Sequence, residues 1–194
     1  RLHVSRLLIL RLAASLLLFL IAQRWLHREI HAVFLILTRR PQLSVGLFSL
    51  VFFPGVFLHE TSHFLMARIL GVRTGRFSLL PQVMANGQVR LGYVETDRTY
   101  LFRDALIGTA PLLTGGLLTA YLGTVVFNLA PIFTLVSQAA WDKVWPALAA
   151  IPRLPDFALW FYLAFTVSST MLPSSSDRRA WLPLALGLAV LLVL

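Results

Sequence analysis

The sequence predicts an all-α polytopic membrane protein with about five transmembrane helices and a small β-hairpin at the membrane surface. Of its 194 residues, 58% are hydrophobic and only 13% are charged, and the mean hydropathy is +0.78. Soluble domains are about half apolar and about a quarter charged. The apolar residues are also gathered in five runs, and about 20 such residues cross a bilayer as a helix. No long polar linker divides the chain, so one compact bundle is expected.

The apolar runs give the order of the predicted helices. They cover about 7–23, 43–70, 106–129, 157–172 and 180 to the end. Pro54 is expected to kink the second run, because a prolyl ring displaces the helical carbonyl four residues back. A signal peptide is disfavoured, because no small-residue cleavage site follows the first run. The stretch of about 24–42 is predicted to be an interfacial linker.

Two segments between the runs have a different composition. In 72–103, the pair Asn86-Gly87 favours a tight turn between two stretches that can extend as strands, so a β-hairpin is expected. In 137–155, tryptophans stand beside charged residues. Tryptophan favours the headgroup region, so this second segment is predicted to lie at the membrane interface.

The charge of the chain is strongly basic, with 17 Lys and Arg against 8 Asp and Glu. In a soluble protein this would suggest nucleic acid, but here the basic residues flank apolar runs. We therefore expect the lipid bilayer as partner and no nucleic acid. The larger share of basic residues lies on the side of the hairpin, which predicts a multi-pass protein with the hairpin side cytoplasmic. There are no cysteines, so only His, Asp and Glu remain as good zinc ligands.

The second run contains His59-Glu60-Thr61-Ser62-His63 in its middle. Residues four apart lie on one face of an α-helix, so His59 and His63 can direct two imidazoles at one ion. Glu60 then lies beside the ion without binding it, where it can accept a proton from water. A chance match, with the histidines bonded to nearby carbonyls, is the alternative. Ionisable groups inside a membrane are costly, which favours the functional interpretation.

A catalytic zinc site needs a third protein ligand and an open position. Asp177 is the preferred candidate, because it lies in a short polar break between the fourth and fifth runs. Broken backbone at membrane depth is tolerated only where it lines protein or a water-filled cavity. Alternatively, Asp177 caps the last helix. The rival ligands are Asp104, Glu95 and Asp97. The histidines interpreted as interfacial are His3, His27 and His31.

These features resemble the site-2 protease family of intramembrane zinc metalloproteases. The resemblance rests on "FLHETSHFLMARILGV" in a predicted transmembrane helix, on the hairpin after it, and on "ALIGTAPLLTGGLL". In the last stretch, Gly108 to Pro111 resembles the family's Gly-x-x-Pro region. The resemblance covers about 43–179, the family's three-helix core, and Asp177 matches the position of the family's third zinc ligand.

The chain departs from the family around this aspartate. Ser169 stands where the family commonly has asparagine, Pro173 is out of register by one residue, and Arg178 replaces a glycine. The resemblance divides the chain into an N-terminal helix with its linker, a metalloprotease core that includes the hairpin, and a C-terminal helix. These three segments are 1–42, 43–179 and 180–194.

The resemblance implies hydrolysis of peptide bonds in membrane-spanning substrates, as in regulated intramembrane proteolysis. One zinc ion per chain would be held by His59, His63 and Asp177, with Glu60 as the general base. A substrate helix must be unwound to be cut, and an edge strand within Met84–Tyr93 is expected to hold the unwound segment. The predicted substrate-binding residues are Met84, Gly87, Val89, Ser169, Gly108 and Pro111. The expected partners are a transmembrane protein substrate and a regulatory membrane partner or a second copy of the chain.

Two other classes of function stay open. One is a zinc-dependent membrane hydrolase that acts on something other than peptide. The other is a non-catalytic zinc-binding membrane protein, such as a scaffold, a chaperone or a transporter subunit. Glu60 argues against the non-catalytic class, because a purely structural zinc site does not need a base beside the ion.

Overall fold

A computed structural model of the protein describes residues 2–83, 89–97, 99–174 and 176–183, of which 2–13, 16, 83 and 89 are described by their backbone alone. These residues are mostly helical, with a small antiparallel β-structure between the third and fourth helices. The chain divides into two compact units, Arg1–Leu50 and Val51–Leu194. The candidate site lies in the second unit.

The first unit consists of a long helix and most of a short one. Helix α1 runs over Leu2–Thr38, so the predicted interfacial linker is helical as far as Thr38. No glycine or proline interrupts this stretch, and α1 ends where Arg39 takes a left-handed conformation with φ 52°. Within the unit, the ring of Phe48 packs edge-on against His27 and His31, at centroid distances of 5.5 and 6.0 Å.

The predicted second span is divided into two helices at Phe52. Helix α2 covers Pro41–Val51, and α3 covers Phe53–Ile69 with Pro54 in its first turn. Proline is tolerated in a first turn but kinks or breaks a helix interior, because it lacks an N–H and clashes with a carbonyl one turn back. At the break, the hydroxyl of Tyr162 donates to the carbonyl of Val51 at 2.9 Å, which satisfies a backbone group that the break exposes.

Three helices form the core of the second unit: α3, α4 (Leu101–Tyr121) and α7 (Phe157–Thr170), each packed against the other two. A Cβ on Gly55 would collide with the backbone of Thr166, so α3 and α7 approach closely there. The hydroxyls of Ser62 and Thr114 lie 2.6 Å apart and join α3 to α4. Small residues and hydroxyl bonds of this kind are common between helices in membranes.

The β-structure follows α3, as the sequence predicts. Two short antiparallel ladders form it, the first between β1 and β4 and the second between β2 and β3. The strands are β1 (Thr74–Ser78), β2 (Gln82–Val83), β3 (Val89–Arg90) and β4 (Tyr93–Thr96). The predicted Asn86-Gly87 turn lies outside the described residues.

Among the described residues, one continuous helix is long and apolar enough to cross a membrane. It covers Leu101–Val126, where α4 continues into a π-helix. Two pairs of helices pass the same test together: Pro41–Val51 with Phe53–Ile69, and Trp141–Arg153 with Phe157–Thr170, the second pair bent by 102°. The described residues therefore contain one to three such spans by length and composition, and the prediction of about five stays a prediction.

The remaining predicted spans and the interfacial segment are helical where they are described. The first span lies inside α1, with part of its side chains outside the described residues. The fifth is described only as far as Pro183, in a helix that begins at Trp181. The interfacial segment follows α5 (Ala130–Ser137) and contains α6 (Trp141–Ala150) and a 3-10 turn over Ile151–Arg153.

Candidate metal centre

Two histidines of α3 face the same point. The Nε2 atoms of His59 and His63 lie 3.1 Å apart, and their side chains are only 12% and 10% exposed. The helix runs without interruption from Phe53 to Ile69, so the four-residue spacing places both rings on one face.

Asp177 joins this pair from the far end of the chain. Its Oδ1 lies 3.4 Å from Nε2 of His63, and its Oδ2 lies 3.7 Å from Nε2 of His59. One ligand atom from each of the three residues lies within 4.8 Å of the others, so the group could hold a metal ion. Ligand atoms bonded to one tetrahedral zinc are about 3.3–3.6 Å apart, given bonds of about 2.0–2.2 Å. The observed separations fit that spacing.

The backbone carbonyl of Ile107 orients one of the rings. It lies 2.8 Å from Nδ1 of His63. A carbonyl oxygen can only accept, so Nδ1 carries the hydrogen and Nε2 keeps its lone pair towards His59 and Asp177. Metal-binding histidines commonly donate their second ring N–H in this way. By contrast, Nδ1 of His59 is buried with no hydrogen-bond partner among the described residues.

The polar break after α7 holds the carboxylate of Asp177. The backbone N–H of Ser174 donates to Oδ2 of Asp177 at 2.6 Å. Burial opposes ionisation of this carboxyl, but its contacts with His59 and Ser174 and the nearby His63 outweigh burial, and the pKa of Asp177 lies well below its ordinary value. The side chain is therefore a carboxylate at neutral pH, the form that binds a cation.

Glu60 is buried next to His59 and lies against the β-structure. It is 8% exposed and belongs to none of the ion pairs among the described residues. A Cβ on Gly92 would lie 2.8 Å from Cγ and 3.2 Å from Oε1 of Glu60. Only glycine therefore lets the chain before β4 pass this close to the carboxylate. Gly92 is not among the residues predicted from the sequence, although a glycine within an extended stretch is a signal of close approach.

The rival acidic ligands lie elsewhere. Asp104 pairs with Arg179 through two bonds. Glu95 accepts the backbone N–H of Arg76 at 3.1 Å, and Asp97 continues the β1–β4 ladder through its backbone N–H. None of the three belongs to the group that could hold a metal ion.

The predicted substrate-binding residues have varied positions, and their role stays a prediction. Gly108 lies against the backbone of Asp177, and Pro111 is buried inside α4. Ser169 is buried on α7. Val89 pairs with Val83 through the backbone of β3. Met84 and Gly87 lie outside the described residues, as does the side chain of His3.

Comparisons of the chain with protein-family models, with curated proteins and with solved structures find no match. What the centre can do therefore follows from its own residues. Three convergent ligands, His59, His63 and Asp177, could hold one divalent cation. A fourth ionisable group, Glu60, lies on the same helix but outside that ligand group.

Proposed function

We propose that the chain is an intramembrane zinc metalloprotease, similar to the site-2 protease family, which hydrolyses peptide bonds of membrane-spanning substrates. The observation that carries the proposal is the meeting of His59, His63 and Asp177 beside the buried Glu60, on an apolar helix. Buried ionisable groups in such a helix are costly and are kept where a function needs them.

Zinc is the proposed metal because of the ligand types. Two imidazoles and one carboxylate make up a set that catalytic zinc sites use, with one position left open. The chain has no cysteine that could complete a closed structural site. When bound, zinc would polarise the scissile carbonyl and lower the pKa of water to about 7.

Glu60 supplies the proton transfers in this proposal. Its carboxylate takes one proton from the attacking water as the carbon–oxygen bond forms. The same proton passes to the amine nitrogen as the carbon–nitrogen bond breaks, so Glu60 ends the cycle ionised. The contact between Gly92 and Glu60 supports this role, because it leaves the base little exposed to bulk water.

The β-structure is the proposed docking place for an unwound substrate segment. A transmembrane helix hides its amides in internal hydrogen bonds and must open before it can be cut. Addition of the opened segment to a sheet edge would pair its free backbone groups. The passage of the chain at Gly92 over Glu60 supports this, since it brings the β4 end of the sheet next to the base.

The proposal includes a multi-pass topology of about five spans with the hairpin side cytoplasmic. Its support is the apolar helix of Leu101–Val126, the two helix pairs that could each cross together, and the basic residues on the hairpin side. The proposed partners are the lipid bilayer and a transmembrane protein substrate.

The test uses the full chain in proteoliposomes with a panel of single-span reporter proteins. We expect cleavage within the reporter's span, its loss after treatment with a zinc chelator, and its return with added Zn²⁺. Zinc content is measured in the same samples. A chain that binds zinc but cleaves none of the reporters, including helix-destabilised ones, would favour a non-proteolytic zinc protein.

A further inference from the structure

We propose that one turn of α4, from Ile107 to Pro111, positions two of the three metal ligands. It would orient His63 through a backbone carbonyl and Asp177 through the missing side chain of Gly108. The inference rests on the proposed metal site. It assigns Gly108 and Pro111 a positioning role, distinct from the substrate contact that the sequence predicts for them.

The first part of this arrangement depends on Pro111. In an α-helix, the carbonyl of residue 107 accepts the N–H of residue 111. Residue 111 is proline, which has no N–H, so the Ile107 carbonyl lacks its usual helical partner. His63 takes that place, with Nδ1 at 2.8 Å. Pro111 therefore frees the acceptor that fixes the hydrogen on Nδ1 and directs Nε2 of His63 towards the other ligands.

The second part depends on Gly108. A Cβ at this position would collide with the backbone carbonyl oxygen of Asp177 and would come within 2.9 Å of its carbonyl carbon. The backbone of Asp177 thus rests directly on α4. Not every glycine of α4 lies in such a contact, because a Cβ on Gly116 would meet nothing within 4 Å.

The two contacts come from adjacent residues, and this ties two ligands to each other. His63 bonds to Ile107, and Asp177 lies on Gly108, while Oδ1 of Asp177 and Nε2 of His63 are 3.4 Å apart. A shift of either contact changes that separation. Contacts that hold metal ligands in place typically change metal affinity by about 10–100-fold when they are removed.

The experiment measures zinc affinity of the purified full chain in detergent, by competition with a chromogenic chelator, together with the Co²⁺ absorption spectrum. Gly108→Ala is compared with Gly116→Ala, since both add one methyl group to α4. Pro111→Ala is compared with Pro146→Ala in α6, because both prolines lie inside helices. Thermal unfolding of each zinc-free variant is recorded beside its affinity.

We expect Gly108→Ala and Pro111→Ala to weaken zinc binding by about 10–100-fold and to alter the Co²⁺ spectrum, while both control variants bind as the parent does. Pro111→Ala restores a helical N–H and favours the helix, so its zinc-free form should be at least as stable as the parent. Loss of affinity without loss of stability is a result that a packing role alone does not produce.

Parent-like affinity and spectrum in Pro111→Ala would overturn the orienting role of Ile107, and the same result in a folded Gly108→Ala would overturn the role of Gly108. If Gly108→Ala does not fold, Asp177→Glu with Gly108 kept decides, because a backbone that rests on α4 cannot move back to make room for the longer side chain. Zinc binding should then weaken, and parent-like affinity in Asp177→Glu would count against the positioning of Asp177. If the parent chain binds no zinc, the metal site itself is refuted. That result differs from equal zinc binding by the parent and all variants, which would refute only the positioning role of α4.

Discussion

Arg179 and Asp104 form an ion pair with two hydrogen bonds, in which Nε and Nη2 of the guanidinium each lie 2.9 Å from a carboxylate oxygen. Asp104 lies in the first turn of α4, and Arg179 lies in the polar break that carries Asp177. The pair therefore joins the start of α4 to the segment of the third ligand. Because the Arg179 side chain is 57% exposed, solvent screens the pair and its energy is small.

The first prediction concerns this pair. Arg179→Gln should lower stability by less than about 1 kcal/mol, and it should weaken zinc binding far less than removal of Asp177. Arg179→Gln and Asp104→Asn should also be non-additive, since each removes the same bonds. A double-mutant cycle in detergent measures this coupling. Arg178→Gln is the control and should show no coupling to Asp104→Asn. Equal coupling for both arginines would contradict the assignment of Arg179 as the partner of Asp104.

The second prediction concerns the contact between α3 and α7. Gly55→Ala adds a methyl group where the backbone of Thr166 and the hydroxyl of Thr170 already lie. Forcing atoms into a packed interface costs about 1–3 kcal/mol, and the unfolding midpoint should fall. Gly116→Ala, which adds the same group in open space, should leave the midpoint unchanged or raise it. Equal midpoints for the two variants would show that α3 and α7 do not approach as described.

The third prediction separates the metal ligands. His59→Ala should abolish both bound zinc and cleavage, because two ligands rarely hold zinc tightly. Asp177→Asn should retain part of the zinc, since an amide oxygen can still coordinate but carries no charge. Zinc per chain is measured by elemental analysis, with the exposed Asp142→Asn as the control. Full zinc in Asp177→Asn and in Asp177→Ala would remove Asp177 from the ligand set.

The fourth prediction concerns the membrane and uses the absence of native cysteines. Single cysteines at Phe57 and Leu65 replace exposed apolar side chains of α3 and should react slowly with an aqueous thiol reagent in intact membranes. A cysteine at Arg76 of β1 should react quickly, and only from the cytoplasmic side. The denatured protein provides the full-labelling reference. Equal rates along α3 and β1 would mean that α3 is not within the bilayer.

Much of the helical architecture and the histidine pair could be predicted because the signals are local. The four-residue spacing of His59 and His63 fixes their common face as soon as the segment is helical. The linker of 24–42 was predicted from its charged residues without a secondary structure, and α1 extends through it to Thr38 because neither glycine nor proline interrupts it. Its interfacial position stays a prediction. Sequence spacing alone did not reveal what surrounds the ligands.

The residues that surround the centre are brought together by tertiary packing. The bond of His63 to Ile107 and the contact of Gly92 with Glu60 join segments far apart in the chain. A glycine or proline in a helix or strand signals that something approaches or that a carbonyl is free, but it does not name the partner. The pairing of Asp104 with Arg179 is likewise visible only in the folded chain. It explains why Asp104 does not belong to the group that could hold a metal ion.

Replacement of Glu60 by glutamine tests whether this carboxylate is the general base of peptide hydrolysis. Glutamine keeps the size of the side chain and can hydrogen-bond to water, but it cannot accept a proton. Cleavage of a membrane-spanning reporter in proteoliposomes is measured with zinc quantified in the same samples, beside Glu29→Gln at a half-exposed position of α1. We expect Glu60→Gln to cleave about 10²–10⁴-fold more slowly with zinc unchanged, and Glu29→Gln to match the parent. Cleavage by Glu60→Gln at the parent's rate would show that Glu60 is not the base.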